Sequence, residues 1–189
     1  MNEEYAYSVL MSVYAEENPA FLQEAIDSMY RQTLPTDDFV LVCDGPLTDS
    51  LEAIATSTQQ RFPDSFHVVR LPEHQGLAAG LNAGLRHCRH EFIARMDSDD
   101  ISHPQRCEKQ LARFREDPGL AILSGTVAEF EDTPAHITGH RTLPAAYSDI
   151  CQFSRKRSLS LYTFPYNLLQ ALRKSRVPMS DGIYFIWRF

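Results

Sequence analysis

The chain has 189 residues and a net charge of -7 at pH 7, and 43% of its residues are hydrophobic. This length and composition indicate about one globular domain with a core of its own. The negative charge argues against a general nucleic-acid-binding protein, which usually presents a basic face. A nucleotide substrate is not excluded, because a metal ion could bridge it to acidic residues.

The cysteines and the N-terminus indicate the cellular compartment in which the protein works. The four cysteines, Cys43, Cys88, Cys107 and Cys151, lie far apart and form neither a CxxC pair nor a zinc spacing. Cys43 and Cys88 fall in or beside apolar segments, as small buried hydrophobic residues do. The acidic N-terminus does not resemble a signal peptide. These features predict a reduced, cytoplasmic protein.

Apolar runs alternate with amphipathic segments through residue 130. The runs are rich in strand formers, and the segments carry hydrophobic residues at the 3–4 spacing of a helix. The predicted elements, in chain order, are a strand at 7–14, a helix from 19 to 33, a strand at 39–43, a helix from 51 to 62, a strand at 66–71, a helix at 77–88, a strand at 91–96, a helix at 104–116 and a strand region at 120–130. This alternation predicts an α/β fold, with a mainly parallel, Rossmann-like sheet and helices on both faces.

The third predicted helix contains two glycines, Gly80 and Gly84, four residues apart. Each weakens a helix by about 1 kcal/mol relative to alanine. Such a pair is typical of a helix that approaches a backbone or a ligand closely. We therefore expect close packing at both positions.

Acidic residues follow three of the predicted strands. Glu16 and Glu17 follow the first strand, Asp44 follows the second, and Asp97-Ser98-Asp99-Asp100 follows the fourth. Taken alone, the last stretch could equally cap the next helix. Ligands of parallel sheets bind outside the carboxyl ends of the strands, however, and all these acids lie there. Their placement favours a site for a hard divalent cation such as Mn2+ or Mg2+, which prefers carboxylate oxygens.

Four ordered blocks resemble a known family: YSVLMSVYAEENPAFLQEAIDSMYRQT, FVLVCDGPLTDSL, HQGLAAGLNAGL and IARMDSDDISHPQRCEKQL. Over residues 5–157 the chain resembles family 2 glycosyltransferases with a GT-A fold, especially bacterial enzymes of capsule, exopolysaccharide and O-antigen synthesis. The resemblance implies a nucleotide-sugar-binding domain at 5–140. Residues 141–189 would form an incomplete acceptor-side region or an atypical tail.

The same resemblance implies roles for individual residues. The positions expected to bind the nucleotide-sugar are Ser12, Val13, Tyr14, Glu16, Asp44, Gly76, Asn82, Arg95 and Asp97. Asp97-Ser98-Asp99 matches the family's DxD motif. There Asp99, together with Asp97, would bind the Mn2+ or Mg2+ that bridges the diphosphate, and Arg95 would help to neutralise phosphate.

The family also uses a catalytic base, an Asp in a Glu-Asp pair well after the DxD motif. Glu116-Asp117 and Glu131-Asp132 lie too close to the motif, and the surroundings of Asp181 do not fit. The catalytic residue is therefore unknown. We expect a C-terminal part that is truncated or altered relative to the family.

The reaction implied by the resemblance is inverting transfer of a sugar from a UDP-type donor to a glycan or lipid-linked acceptor in bacterial surface polysaccharide synthesis. The alternative is an inactive remnant that acts as a nucleotide-binding module. Two further partners stay open. The basic run at 155–157 could touch the inner face of the membrane, and the apolar tail at 185–189 could mediate a homodimer.

Overall fold

The computed structural model describes residues 6–117, 123, 125–131, 133–141 and 163–165. Its helices and strands, in chain order, are β1 (Tyr7–Val13), α1 (Pro19–Tyr30), β2 (Asp38–Cys43), α2 (Asp49–Arg61), β3 (Phe66–Arg70), α3 (Leu77–Gly84), β4 (Phe92–Asp97), α4 (Arg106–Glu116), β5 (Val127–Phe130), β6 (Ile137–Arg141) and β7 (Thr163–Pro165). The predicted order of elements from β1 to α4 is confirmed.

The main sheet has the strand order β3-β2-β1-β4-β7. Strands β3, β2, β1 and β4 are paired in parallel, and β7 adds an antiparallel edge next to β4. The central strands are almost entirely buried, as expected for a sheet covered on both faces. The predicted mainly parallel α/β sheet is therefore confirmed.

Two apolar clusters cover the two faces of this sheet. The larger one joins the sheet to α1, α2 and α4, through residues such as Ile26, Leu51 and Leu111. The smaller one lies on the opposite face around Leu10 and Val42 and packs against the α3 side. Helices thus lie on both faces, as predicted, with α3 alone on one face within the described residues.

Helix α3 packs closely on β1 and β2 through its two glycines. A Cβ atom added at Gly84 would lie 2.5 Å from Leu10 Cδ1 and from Val42 Cγ2, and one at Gly80 would lie 2.8 Å from Ser12 Oγ. Contacts this short leave no room for a methyl group. The predicted close approach at both glycines is confirmed.

The structure differs from the prediction after α4 and at the end of α3. Strand β5 pairs antiparallel with β6 in a separate two-stranded sheet, instead of extending the parallel series. Its sequence, VAEF, is less apolar than that of a central strand, and the strand is accordingly only partly buried. Helix α3 stops at Gly84 and not at 88, because the next residues form tighter i to i+3 bonds such as His87 N–H to the Gly84 carbonyl.

Several predictions fall outside the described residues. These are residues 120–122 and 124 of the predicted strand region, the basic run at 155–157 and the tail at 185–189. Of the range 141–189, the structure describes only 141, at the end of β6, and 163–165, which form β7. No helix in the described part of the chain is long and apolar enough to cross a membrane.

Candidate functional site

The register of the sheet brings three strand ends together. Ser12 pairs with Val42 on one side and with Asp97 on the other. The backbone N–H of Asp44 donates to the carbonyl of Val13 at 2.8 Å. The residues that follow β1, β2 and β4 therefore share one edge of the sheet, called here the carboxyl edge, where ligands of parallel sheets bind.

Residues 97–100, the acidic turn, reverse the chain directly after β4. The Asp100 N–H donates to the Asp97 carbonyl at 3.4 Å. The hydroxyl of Ser98 donates to the carboxylate of Glu17, which ties the turn to the loop after β1. Glu17 was counted among the acids at the strand ends, but it was not among the residues expected to bind the nucleotide-sugar or the metal. Its position beside Glu16, after the first strand, was the signal that pointed to it.

Two arginines lie behind the acidic turn. Arg95 is buried, with 2% exposure, and forms an ion pair with Asp97. Arg106, at the start of α4, donates to the Arg95 carbonyl at 2.8 Å. The charge of Arg95 is thus directed at Asp97 in the interior, and its role toward phosphate stays a prediction.

Burial raises the proton affinity of two acids of the turn, Asp97 and Asp100. Burial, followed by the charges of Asp97 and Asp99, raises the pKa of Asp100 to about 8. Burial also raises the pKa of Asp97, although Arg95 acts in the opposite direction. A cation among these oxygens would reverse this effect, because an opposite charge favours the ionised carboxylate.

The acidic turn fits a metal ion that takes part of its ligands from a substrate. Among the described residues, no three His, Cys, Asp or Glu side chains are arranged to hold a metal by themselves. Mg2+ usually takes only one or two protein carboxylates and completes its shell with water and phosphate oxygens. Asp97 and Asp99 supply that kind of donor at the carboxyl edge.

Asp44 holds the loop that begins α3. Its carboxylate accepts hydrogen bonds from the backbone N–H groups of Gln75, at 2.8 Å, and Gly76, at 2.9 Å. His74 Nδ1 lies 2.9 Å from the same carboxylate. Gly76 has a φ of 89° and directly precedes α3. Because its N–H binds the Asp44 carboxylate, Asp44 places a negative charge at the N-terminus of that helix, where it is favourable.

An exposed aromatic pair borders this loop. The rings of Tyr14 and His74 are stacked, with centroids 5.5 Å apart and an angle of 29° between their planes. Tyr14 is 42% exposed, and the side chain of His74 is 61% exposed. Burial, followed by the charges of Glu16 and Glu17, raises the pKa of the Tyr14 phenol, which places it beside the acids after β1. His74 was not among the predicted site residues, because nothing in the sequence links it to Asp44.

The remaining predicted residues, Ser12, Val13 and Asn82, lie in β1 and α3. Ser12 is half-buried and faces Gly80 of α3. Val13 is buried and contributes its carbonyl to Asp44. Asn82 is half-buried in α3, two residues from Gly80, and residues at that spacing do not share a helix face. The structure therefore brings Tyr14 and Glu16, Asp44 and Gly76, and Asp97 and Asp99 to the carboxyl edge, while Asn82 lies on a different side of α3 from the glycines that contact the sheet.

A mainly parallel sheet with three sets of acids at its carboxyl edge agrees with the GT-A fold that the resemblance implies. The model of the glycosyl transferase family 2 matches residues 8–172 of the chain. The chain belongs to this family, and the family assigned from the sequence is confirmed.

Named relatives are similar over most of the chain. It is 38% identical over 188 residues to an uncharacterized glycosyltransferase of Haemophilus influenzae, covering 96% of this chain and 67% of the relative. It is 37% identical over 179 residues to the amylovoran biosynthesis glycosyltransferase AmsE of Erwinia amylovora, covering 94% and 63%. It is 34% identical over 152 residues to the UDP-Gal:alpha-D-GlcNAc-diphosphoundecaprenol beta-1,3-galactosyltransferase of Escherichia coli, covering 80% and 54%. The chain thus spans between 54% and 67% of the length of these relatives.

Solved structures share the fold. S. aureus TarS 1-349 in complex with UDP has a TM-score of 0.62 at 18% identity, covering 89% of this chain and 49% of that one. The Pyrobaculum calidifontis mannosyltransferase PcManGT, in complex with GDP-Man and Mn2+, has a TM-score of 0.58 at 21% identity, covering 88% and 46%. These similarities confirm the predicted GT-A fold.

Proposed function

We propose that this chain binds a nucleoside-diphosphate sugar of the UDP type, together with Mn2+ or Mg2+, at its carboxyl edge. It would supply the donor-binding part of a glycosyltransferase that acts on a glycan or lipid-linked acceptor in bacterial surface polysaccharide synthesis. The division into a donor-binding domain at 5–140 and an acceptor-side region at 141–189 belongs to the same proposal.

The observation that carries this proposal is the position of the acidic turn. It follows β4, the strand that pairs Asp97 with Ser12, and it is tied through Ser98 to Glu17. Acidic oxygens from two loops therefore face the site where the diphosphate of a donor would lie. The named galactosyltransferase relative and the UDP complex of TarS support a UDP-type donor, and the PcManGT complex supports Mn2+.

The chain's own residues would bind and orient the donor. When bound, a metal ion stabilises the charge that develops on the departing nucleoside diphosphate. Asp97 and Asp99 would hold that ion, and Arg95 fixes the side chain of Asp97 from behind through their ion pair. Tyr14 presents an exposed ring at the same edge, on which a nucleobase can stack.

The second candidate is a nucleotide-binding module without transfer activity. It is favoured by the position of Glu116, which is exposed at the end of α4 and pairs with Arg113. Helix α4 has 11 residues, so Glu116 lies about 15 Å along the helix from Arg106. This position gives no support for Glu116 as the catalytic base, and that favours the module.

Calorimetric titration with UDP tests the donor site. We expect binding in the presence of Mn2+ or Mg2+ and its loss in EDTA. Absence of binding under all three conditions would contradict the proposal. Chromatography that detects UDP released from UDP-sugars then separates the two candidates. A transferase would release UDP, whereas a module without transfer activity would bind the donor and leave it intact.

A further inference from the structure

Ser98 lies between the two aspartates of the acidic turn, and its side chain is buried. It is 7% exposed, while Asp97 and Asp99 on either side are half-buried. Its hydroxyl donates to Glu17 Oε2 in the loop after β1. Because Asp97 and Asp99 are its direct neighbours in the chain, a hydrogen bond that holds Ser98 also limits the movement of both aspartates.

Glu17 is itself held at its other carboxylate oxygen and at its backbone. Glu17 Oε1 accepts from the Asn18 N–H at 2.8 Å, and the Glu17 N–H donates to the Tyr14 carbonyl at 3.1 Å. Asn18 in turn caps α1, because its side chain accepts from the Ala20 N–H at 2.9 Å. The carboxylate of Glu17 therefore bridges the N-terminus of α1 and the acidic turn, although 81 residues separate Glu17 from Ser98.

The hydrogen bonds of Glu17 explain its position better than its charge does. Its negative charge lies near that of Asp97, and like charges repel each other. Each of its two carboxylate oxygens, in contrast, accepts a hydrogen bond. The bond from a hydroxyl to a carboxylate is charge-assisted and about twice as strong as one between neutral groups. The contact therefore favours a role of Glu17 as the acceptor that holds Ser98.

We propose that Glu17 is a positioning residue for the metal ion, which it does not bind itself. It holds the acidic turn through Ser98, so that Asp97 and Asp99 keep the geometry in which they bind the ion. Residues that orient metal ligands in this way typically contribute about 10- to 100-fold to metal affinity. This inference rests on the proposed function and adds a residue from the loop after β1 to the metal site.

The test measures the Mn2+ concentration at which UDP binding is half-maximal, by calorimetric titration of UDP at increasing Mn2+. Glu17→Ala removes the acceptor of Ser98 and should raise that concentration about tenfold or more. Glu17→Gln removes the charge but keeps a side-chain oxygen that can accept from Ser98, so it should restore binding to within about threefold of the wild type. Glu24→Ala, at an exposed acid of α1, is the matched control and should bind as the wild type does.

A double-mutant cycle then tests whether the effect of Glu17 passes through Ser98. Ser98→Ala leaves every carboxylate in place and should raise the Mn2+ requirement as Glu17→Ala does. The double variant should need less than about threefold more Mn2+ than either single variant, because the two substitutions remove the same contact. Thermal unfolding of each variant checks that it folds, and Ser98→Ala decides the question if Glu17→Ala does not fold.

The contrary outcomes separate this inference from the proposed function. The positioning role is refuted, while the proposed function stands, if folded Glu17→Ala or Ser98→Ala needs no more Mn2+ than the wild type. It is also refuted if Glu17→Gln is as defective as Glu17→Ala, or if the effects of the two alanine substitutions multiply, since Glu17 would then act through its charge or as a ligand. If the wild type shows no Mn2+-dependent binding of UDP, the proposed function fails and this inference fails with it.

Discussion

The side chain of Gln32 accepts a hydrogen bond from the backbone N–H of Cys107 at 3.1 Å, although 75 residues separate them. The Gln32 Nε2 group donates to the His103 carbonyl at 2.9 Å and to Ser102 Oγ at 3.1 Å. Ser102 N–H in turn donates to Ser28 Oγ at 3.0 Å. The residues just beyond Tyr30, where α1 ends, thereby fix the segment that links the acidic turn to α4.

Replacing Gln32 should destabilise the chain measurably. Gln32 is 6% exposed, so Gln32→Ala would leave buried donors and acceptors without partners, at about 1–3 kcal/mol for each unsatisfied group. We expect a loss of about 2–3 kcal/mol in the free energy of unfolding, measured with urea. Gln60→Ala, at an exposed position of α2, is the control and should change it by less than about 0.5 kcal/mol. Equal effects of the two substitutions would refute this role.

Asp38 is the first residue of β2 and lies at the end of the sheet opposite the carboxyl edge. Its fully buried carboxylate accepts from Ser8 Oγ, from the Arg89 N–H at 2.7 Å and from Arg89 Nε at 3.2 Å. Asp38→Ala removes several charge-assisted hydrogen bonds and should cost about 3 kcal/mol of folding free energy in chemical denaturation. The adjacent Asp37 has a side chain that is 44% exposed, so Asp37→Ala should cost less than about 1 kcal/mol. A larger loss for Asp37→Ala than for Asp38→Ala would contradict the assignment.

The packing of α3 predicts a cost for a single methyl group at Gly84. Gly84→Ala would force Leu10 and Val42 to move inside the core, at about 1–3 kcal/mol, of which a better helix propensity returns up to about 1 kcal/mol. We expect a lower thermal midpoint for this variant. Gly125→Ala is the control, because a Cβ atom there meets nothing within 4 Å. A variant at Gly84 as stable as the wild type would show that α3 is not held this closely.

Glu52 and Arg70 give a pH-dependent contribution on the surface. The hydrogen bond from Arg70, at 2.8 Å, lowers the pKa of Glu52 below its ordinary value. A lowered pKa means that the stabilisation is present near neutral pH and is lost as the pH falls and the carboxyl is protonated. The difference in unfolding free energy between the wild type and Glu52→Gln should therefore shrink from pH 7 to pH 3. A difference that grows over that range would contradict the sign.

The sequence was sufficient for the order of the central elements and for the edge at which the acids meet. Strands buried on both faces leave continuous apolar runs, and the acids after β1, β2 and β4 follow directly from those runs. Gly80 and Gly84 also left a readable signal, because glycine is costly inside a helix.

Contacts between distant residues left no such signal. The bonds of Gln32 to residues 102–107 and of Asp44 to residues 74–76 join segments that no periodic pattern relates. Strands β5 and β6 are short and partly exposed, so their sequences lack the continuous apolar character of β1 or β2. Partner choice for such elements depends on tertiary packing and not on local propensity.

The most direct test of the donor site is Mn2+-dependent UDP binding by Asp99→Ala, compared with the wild type and with Asp64→Ala, an exposed acid between α2 and β3. Removing one carboxylate from a repelling group should leave the fold intact, or even stabilise the metal-free chain. We predict that Asp99→Ala unfolds at the wild-type temperature or above and shows no metal-dependent binding of UDP, while Asp64→Ala binds as the wild type does. Unchanged, metal-dependent UDP binding by Asp99→Ala would contradict the assignment of the acidic turn as the metal site.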